Sequence, residues 1–246
     1  MKKLYIVIPA YNEAENIKEV IEGWYIVLEE HELSEESRLL IIDDGSKDDT
    51  YQIMCEMQEG RPLFTPLTKK NSGHGATLIY GYQYALEHGA DYIFQTDSDG
   101  QTLPDEFYVF WKLREKYDMV IGHRNQRQDG FSRVFVTKVL KLVIRICFGV
   151  TVTDANTPFR LMSAAMLKEQ MKYIPENYNL PNVLISVICE KRKLKVKYLP
   201  ITFRPRQGGV NSINLKKISK IGIQAIKDFT YINQVLGRVK GEGKKK

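Results

Sequence analysis

Two aspartates one residue apart occur in the stretch QTDSDGQ, residues 95–101. The stretch directly follows the run DYIF, although aspartate is a poor strand former and like charges this close repel each other. Side chains alternate along an extended backbone, so Asp97, Asp99 and Gln101 point to the same side. Carboxylate and amide oxygens are suitable ligands for Mg²⁺ or Mn²⁺, and one interpretation is therefore a divalent-cation site. The other is a polar turn after a strand, because Asp, Ser and Gly are common turn residues.

The elements around this stretch alternate between strand-like and helix-like patterns. Strands are expected at residues 4–10, 38–43, 63–68, 90–96 and 118–124. Helices are expected at residues 13–31, 47–59 and 76–88 and from Pro104 onward. This alternation predicts an α/β fold, in which a mostly parallel sheet carries helices on both faces.

Polar clusters follow three of these strands: PAYNE after the first, DDGS after the second and DSDGQ after the fourth. Ligands of such sheets bind beyond the carboxyl ends of the strands, so we expect the three clusters to meet at one edge. Asp48 or Asp49 is expected to cap the next helix. Asp43 and Asp44 precede that helix, and both are expected to be free to face a ligand.

The composition of the 246-residue chain is that of a folded protein with one main core. Its three cysteines lie far apart, which argues against a zinc site or a disulfide framework and favours a reducing compartment. The first apolar run is too short for a signal peptide.

Residues 189–246 hold 16 Lys and Arg against three acidic residues, whereas residues 1–188 hold 20 Lys and Arg against 27 acidic residues. Such a basic quarter indicates an anionic partner: nucleic acid, an anionic membrane surface or phosphorylated substrates.

Two apolar segments carry basic stripes. Residues 134–150 are interrupted by Lys138, Lys141 and Arg145, and residues 217–236 by further lysines. Neither provides the roughly 20 apolar residues that span a bilayer. Each either packs on the core or lies on a membrane surface.

Four motifs resemble family 2 glycosyltransferases of the GT-A fold and occur in the family's order: IVIPAYNEAENI, IIDDGSKDDT, QTDSDGQ and DANTPFRLM. The chain is most similar to the branch of dolichyl-phosphate mannose synthases and bacterial polyprenyl-phosphate glycosyltransferases. The resemblance implies a three-layer α/β/α catalytic domain over residues 1–212, followed by a basic amphipathic helix and Lys-rich tail over residues 213–246. A GxGxxG dinucleotide fingerprint is absent, which argues against a dehydrogenase.

The resemblance also implies a role for each polar cluster. Asp97, Asp99 and Gln101 match the motif that holds Mg²⁺ or Mn²⁺ against the donor diphosphate. Asp44 matches an aspartate that reads a ring N–H, which both uracil and guanine carry. The remaining residues implied to bind the nucleotide-sugar are Pro9, Tyr11, Glu13, Gly73, Gly75, Asp97, Ser98 and Arg124.

On the acceptor side, the resemblance implies that Asp154 and Arg160 are catalytic residues beside the reacting sugar. Asp154 is either a base or an orienting group, and Arg160 is suited to a phosphate. Arg204 and Arg206 match a late basic loop that approaches the phosphates. A lipid phosphate is already ionised at neutral pH, whereas a sugar hydroxyl acceptor would depend on a base.

These implications predict a metal-dependent inverting glycosyltransferase of the hexosyltransferase class with a UDP- or GDP-linked donor. Its expected acceptor is a polyprenyl phosphate in cell-surface glycan synthesis, and its expected location is the cytoplasmic face of the membrane as a peripheral protein. Homo-oligomers are possible, and no nucleic-acid partner is expected. The alternatives are transfer to a saccharide or protein hydroxyl, and a non-catalytic basic nucleic-acid-binding protein.

Overall fold

The computed structural model describes residues 1–30, 33–124, 131–204, 228–230 and 232–233, with the backbone alone for residues 124 and 131–137. Within this part of the chain, one sheet contains seven strands: β1 (Leu4–Ala10), β2 (Arg38–Asp43), β3 (Phe64–Thr68), β4 (Tyr92–Gln95), β5 (Met119–Arg124), β6 (Arg160–Ser163) and β7 (Val196–Ile201). The helices are α1 (Ile17–Glu30), α2 (Thr50–Gln58), α3 (His74–Glu87), a 3₁₀ turn (Pro104–Glu106), α4 (Phe107–Trp111), α5 (Phe131–Phe148), α6 (Ala164–Met171) and α7 (Pro181–Lys191).

The sheet has the order β3-β2-β1-β4-β6-β5-β7. Strand β6 is antiparallel to its neighbours β4 and β5, and the other pairs are parallel. All seven residues of β1 are buried, because this strand lies inside the sheet and both of its faces are covered. The predicted α/β fold with a mostly parallel sheet is confirmed.

Alternate residues of the central strands pack into two separate cores. Val7 and Leu40 face a core shared with α3, α5, α6 and α7, whereas Ile6 and Ile41 face one shared with α1, α2 and α4. The period-two alternation of an extended chain produces this division. Helices therefore cover both faces of the sheet, as the sequence predicts.

The main differences from the predicted elements lie at helix starts. Helix α1 begins at Ile17 rather than at residue 13, because residues 13–16 form a turn in which the Glu13 carbonyl accepts hydrogen bonds from the Asn16 and Ile17 amides. Asp49 occupies the N-cap position of α2 but makes no capping hydrogen bond through its side chain. Asp48 accepts hydrogen bonds from the amide and hydroxyl of Thr50 instead.

The boundary predicted between residues 212 and 213 lies outside the described residues. Farther along, Phe229 and Ile232 are buried in the same core as α5 and α7. The Phe229 ring lies 5.2 Å from that of Phe148, centroid to centroid. Two alternatives were predicted for the C-terminal segment: packing on the core or lying on a membrane surface. Phe229 and Ile232 pack on the core. Among the described helices, none has the length and apolar character needed to cross a membrane.

Candidate functional site

A cleft of about 410 Å³ opens at the carboxyl-end edge of the sheet. Its walls come from the loop after β1, the end of β2, the start of α3 and the turn after β4. They include Pro9, Tyr11, Glu13, Asp44, Gly73, His74, Asp97, Ser98 and Asp99. The prediction that the three polar clusters meet at one edge is therefore confirmed.

Asp44 lines the cleft, as predicted, and is also hydrogen-bonded to the protein. Its carboxylate accepts hydrogen bonds from the amides of Ser72 (2.9 Å) and Gly73 (2.8 Å) and from Lys69 Nζ (2.5 Å). Burial raises the pKa of Asp44, but the hydrogen bonds from Lys69, the 72–73 backbone and Thr77 outweigh it, so the pKa lies below its usual range. Asp44 is therefore an ionised acceptor held rigidly in the cleft wall.

Asp43 does not face the cleft, and the prediction that it is free is wrong. Its side chain is 2% exposed and accepts hydrogen bonds from the Ser46 amide (3.1 Å) and the Thr68 hydroxyl (2.7 Å). It joins the turn after β2 to the end of β3, which is a structural role. Adjacent residues of a strand point to opposite sides, and this separates Asp43 from Asp44.

Lys69 is a residue that the sequence analysis missed. Its ammonium group bonds Asp44, the Ser72 hydroxyl (2.5 Å) and the Lys70 carbonyl (3.1 Å), so it ties the loop before α3 to the carboxylate. A signal was present in the sequence: Lys69 directly follows β3, at the strand end where the rule for parallel sheets places ligand-facing residues.

The two predicted glycines have different surroundings. Gly73 has a φ of +90°, and no atom lies within 4 Å of where its Cβ would be, so the backbone leaves the cleft open. A Cβ on Gly75 would lie 2.3 Å from the Tyr178 carbonyl oxygen. Gly75 therefore accommodates another segment of the protein backbone, and the nucleotide contact predicted for it stays a prediction.

The turn after β4 carries the predicted metal ligands. Asp97 Oδ1 is buried without a hydrogen-bond partner, and His74 Nε2 lies 3.8 Å from it. Asp99 Oδ1 accepts a hydrogen bond from the Gln101 amide at 3.2 Å. An orphaned carboxylate oxygen beside a second carboxylate fits a hard divalent cation. Among the described residues, no group of three or more His, Cys, Asp or Glu is arranged to hold a metal ion.

Gln101 has a contact that the sequence did not predict. Its side-chain amide donates to the Arg204 carbonyl at 2.8 Å, and the Arg204 amide donates to the Gln101 carbonyl at 2.8 Å. This pair of hydrogen bonds fixes the start of the late basic segment beside the acidic turn. Arg204 also borders a smaller cavity of about 130 Å³ that Asp97 shares.

The loop after β1 also forms part of the cleft wall. Tyr11 is 42% exposed, and its ring is therefore accessible to a ligand. Glu13 is buried, accepts a hydrogen bond from the Asn16 side chain at 3.0 Å, and its amide donates to Thr50 Oγ1 at 2.9 Å. Glu13 thus joins the β1 loop to the starts of α1 and α2 as well as lining the cleft.

Arg160 is fully buried, and the phosphate contact predicted for it stays a prediction. Its guanidinium donates to the carbonyls of Thr157, Asn182 and Ala155, with distances from 2.6 to 3.3 Å. It clamps the turn at residues 155–157 onto the start of α7.

Asp154 precedes this turn, is 6% exposed, and is not among the described residues that line the 410 Å³ cleft.

The other predicted arginines are described only in part. Arg124 ends β5, where its Cα pairs with that of Ile201, and its side chain lies outside the described atoms. Arg206 lies outside the described residues. The nucleotide-sugar contact predicted for Arg124 and the phosphate contact predicted for Arg206 stay predictions.

Residues 5–171 match the family model described as Glycosyl transferase family 2. The chain is 30% identical over 223 residues to the UDP-N-acetylglucosamine–dolichyl-phosphate N-acetylglucosaminyltransferase of Methanococcus voltae, covering 81% of this chain and 85% of that one. It is 31% identical over 221 residues to the undecaprenyl-phosphate 4-deoxy-4-formamido-L-arabinose transferase of Salmonella choleraesuis (strain SC-B67), covering 89% and 64%.

Two solved structures share the fold. One is the glucosyl-3-phosphoglycerate synthase of Mycobacterium tuberculosis in complex with Mn²⁺, UDP and glucosyl-3-phosphoglycerate, with a TM-score of 0.66, 17% identity and coverage of 95% of this chain and 80% of that one. The other is the mannosyl-3-phosphoglycerate synthase of Rubrobacter xylanophilus, with a TM-score of 0.69, 14% identity and coverage of 96% and 76%. These likenesses confirm the expected GT-A fold. The family match and the Methanococcus relative together show that this chain belongs to glycosyl transferase family 2.

Proposed function

We propose that this protein is a metal-dependent inverting glycosyltransferase that moves a hexosyl group from a UDP-sugar to a polyprenyl phosphate in cell-surface glycan synthesis. The observation that carries the proposal is that an ionised acceptor, Asp44, and the Asp97 and Asp99 pair line one cleft at the ligand-binding edge of the sheet. The two relatives named for dolichyl-phosphate and undecaprenyl-phosphate transfer support the lipid acceptor.

Asp44 is the proposed reader of the base. A carboxylate accepts a hydrogen bond from the ring N–H of uracil, and Asp44 is held in place for this by the amides of Ser72 and Gly73. Guanine carries an equivalent N–H, so GDP-sugars are the alternative donors. The Methanococcus relative, named for a UDP-linked donor, favours uridine.

Asp97 and Asp99 are the proposed ligands of Mg²⁺ or Mn²⁺, with the diphosphate oxygens completing the coordination. A cation bound there would neutralise the negative charge that develops on the departing diphosphate. The side-chain amide of Gln101 donates to the Arg204 carbonyl, so we propose that Gln101 holds Arg204 beside the acidic turn rather than serving mainly as a ligand.

In the proposed reaction an acceptor phosphate oxygen attacks the anomeric carbon from the face opposite the diphosphate. The new C–O bond forms as the bond to the diphosphate oxygen breaks, which inverts the configuration. An ionised phosphate needs no general base, and this agrees with a buried Asp154 that orients groups instead of moving a proton. Arg204 and Arg206 are the proposed contacts of the acceptor phosphate.

A lipid-linked acceptor would confine the reaction to a membrane surface, and we propose the cytoplasmic face. Support comes from the cysteines: Cys55, Cys147 and Cys189 are all free thiols, as expected in a reducing compartment. Membership of an enzyme family disfavours the alternative of a non-catalytic nucleic-acid-binding protein.

The proposal is tested by sugar transfer from a panel of labelled UDP- and GDP-sugars with Mn²⁺. Detergent-solubilised polyprenyl phosphate, a soluble saccharide and a phosphorylated small molecule are offered in parallel as acceptors. We expect transfer from one UDP-sugar to the polyprenyl phosphate alone, and none by Asp99→Asn. Transfer only to the saccharide would contradict the proposed lipid acceptor and indicate a hydroxyl acceptor. Absence of transfer and of donor hydrolysis across the panel would contradict the proposed enzyme activity.

A further inference from the structure

Over residues 138–148, where its side chains are described, helix α5 packs against the core through one face. Ile144 and Phe148 are buried there, and Leu140, Val143 and Cys147 pack partly against the same core. This face anchors the helix to the side of the sheet that also carries α3, α6 and α7.

The outward face of α5 is apolar, where a surface helix is ordinarily polar. Val139, Leu142 and Ile146 are 42%, 57% and 73% exposed. Their spacing of three and four residues places them in one row along the helix. Three large exposed aliphatic side chains in a row differ from the single exposed apolar residues that are normal on protein surfaces.

A basic row borders the apolar row. Lys138, Lys141 and Arg145 are all exposed and follow the same spacing of three and four residues. Lys138 is four residues before Leu142, and Arg145 is three after it, so the two rows are neighbours on the helix surface. The sequence of α5 contains no Asp or Glu. The outward face thus combines apolar side chains with positive charge that no acidic residue of α5 offsets.

We propose that the outward face of α5 binds an anionic lipid bilayer, with the helix lying in the plane of the membrane surface. Val139, Leu142 and Ile146 would enter the boundary between headgroups and acyl chains, while the basic row contacts the anionic headgroups. The inference rests on the proposed function, because binding through α5 would hold the cleft near a lipid-linked acceptor.

Charge favours a bilayer over a second copy of this chain as the occupant. A two-fold interface through the same face would bring two basic rows together, with no acidic side chain on either α5 to offset them. Anionic headgroups complement the basic row, and acyl chains complement the apolar row. An anionic bilayer therefore complements both the apolar row and the basic row of α5.

The test is co-sedimentation of the full chain with phosphatidylcholine vesicles, with and without phosphatidylglycerol, at low and high salt. We expect binding that requires phosphatidylglycerol and weakens at high salt. Leu142→Ser with Ile146→Ser, and separately Lys138→Glu with Lys141→Glu and Arg145→Glu, should each lower binding roughly tenfold or more, given the combined apolar and electrostatic contributions. Retained UDP affinity and unfolding temperature would show that these variants are folded.

Matched controls come from elements that pack on the opposite side of the sheet. Ile26, which is 47% exposed on α1, provides Ile26→Ser. The exposed lysines Lys18, Lys112 and Lys116 provide a triple Lys→Glu control. We expect both controls to bind vesicles as the unaltered protein does.

The outcomes separate this inference from the proposed function. Vesicle binding without sugar transfer would leave the inference standing and contradict the function. Transfer in detergent without vesicle binding, or equal loss of binding in the control variants, would overturn the inference. A dimer in solution that Ile146→Ser converts to a monomer, with no vesicle binding, would overturn it in favour of contact between copies.

Discussion

Lys69 and Asp44 form an ion pair beside the cleft, with Lys69 Nζ 2.5 Å from Asp44 Oδ1. Both groups are largely buried, the lysine side chain being 17% exposed and the aspartate 5%. The same ammonium group bonds the Ser72 hydroxyl, so one cation holds both the carboxylate and the loop that precedes α3. The lysine therefore determines how the carboxylate is presented to a ligand.

Replacing Lys69 tests that role. Lys69→Met should weaken UDP binding by about 1 to 2 kcal/mol, the scale of a lost hydrogen bond to a charged group. We expect KM for the donor to rise while kcat at saturating donor changes little, since the lysine acts on binding through Asp44. Lys69→Arg should recover part of the loss, and the exposed neighbour in Lys70→Met is the control. Equal UDP affinity in Lys69→Met and Lys70→Met would show that the pair does not position the carboxylate.

Replacing Asp44 tests base recognition. Asp44→Ala should weaken UDP binding by roughly 1 to 3 kcal/mol, because the carboxylate no longer accepts the ring N–H. Asp49→Ala is the control, since Asp49 is exposed and its side chain makes no capping hydrogen bond. Calorimetry measures both affinities, and unfolding temperatures verify the fold. Unchanged discrimination between UDP and a nucleotide whose base lacks the ring N–H would rule out base reading by Asp44.

The lowered pKa of Asp44 predicts how stability depends on pH. Because the folded-state pKa lies below the unfolded value of about 3.9, the ionised carboxylate stabilises the fold at neutral pH. This contribution is lost as pH falls through the lowered folded-state pKa. The free energy of unfolding of Asp44→Asn should therefore lie below that of the unaltered protein at about pH 7, and the gap should narrow as pH falls below the unfolded-state pKa of about 3.9. A difference that stays constant over this range would contradict the lowered pKa.

Burial of Arg160 predicts a loss of stability. Arg160→Met removes the donors to three buried carbonyls and should lower the free energy of unfolding by about 3 kcal/mol or more. Arg204→Met, at an exposed position, should leave stability nearly unchanged. Urea denaturation measures both. A fully stable Arg160→Met that is inactive would instead support the phosphate contact expected from the sequence.

The strand ends were predictable because their signals are local. Strand β1 occupies the predicted residues, since a continuous apolar run that ends in a polar cluster describes a buried parallel strand. Asp44, Asp97 and Asp99 meet in one cleft because carboxyl ends of parallel strands share an edge of the sheet.

Roles that depend on distant segments were not predictable in this way. Arg160 finds one of its carbonyl acceptors, that of Asn182, on α7, 22 residues away in sequence, and the sequence around Arg160 does not indicate that it is buried. Gly75 leaves room for the backbone at residues 178–179, which a side chain at this position would meet. The side-chain amide of Gln101 donates to the carbonyl of Arg204, about a hundred residues away. In each case the sequence identified a distinctive residue but did not indicate the contact that it makes with a distant part of the protein.

Above all, we propose that Asp97 and Asp99 bind a divalent cation that would join the nucleotide diphosphate to the cleft. The most direct measurement is calorimetric binding of UDP to the unaltered protein and to Asp99→Asn, each with Mn²⁺ and with excess EDTA. We expect the unaltered protein to bind UDP at least about tenfold more tightly with Mn²⁺, a coupling of about 1.4 kcal/mol, and Asp99→Asn to lose this difference while keeping its unfolding temperature. UDP affinity that is the same with Mn²⁺ and with EDTA in the unaltered protein would contradict it.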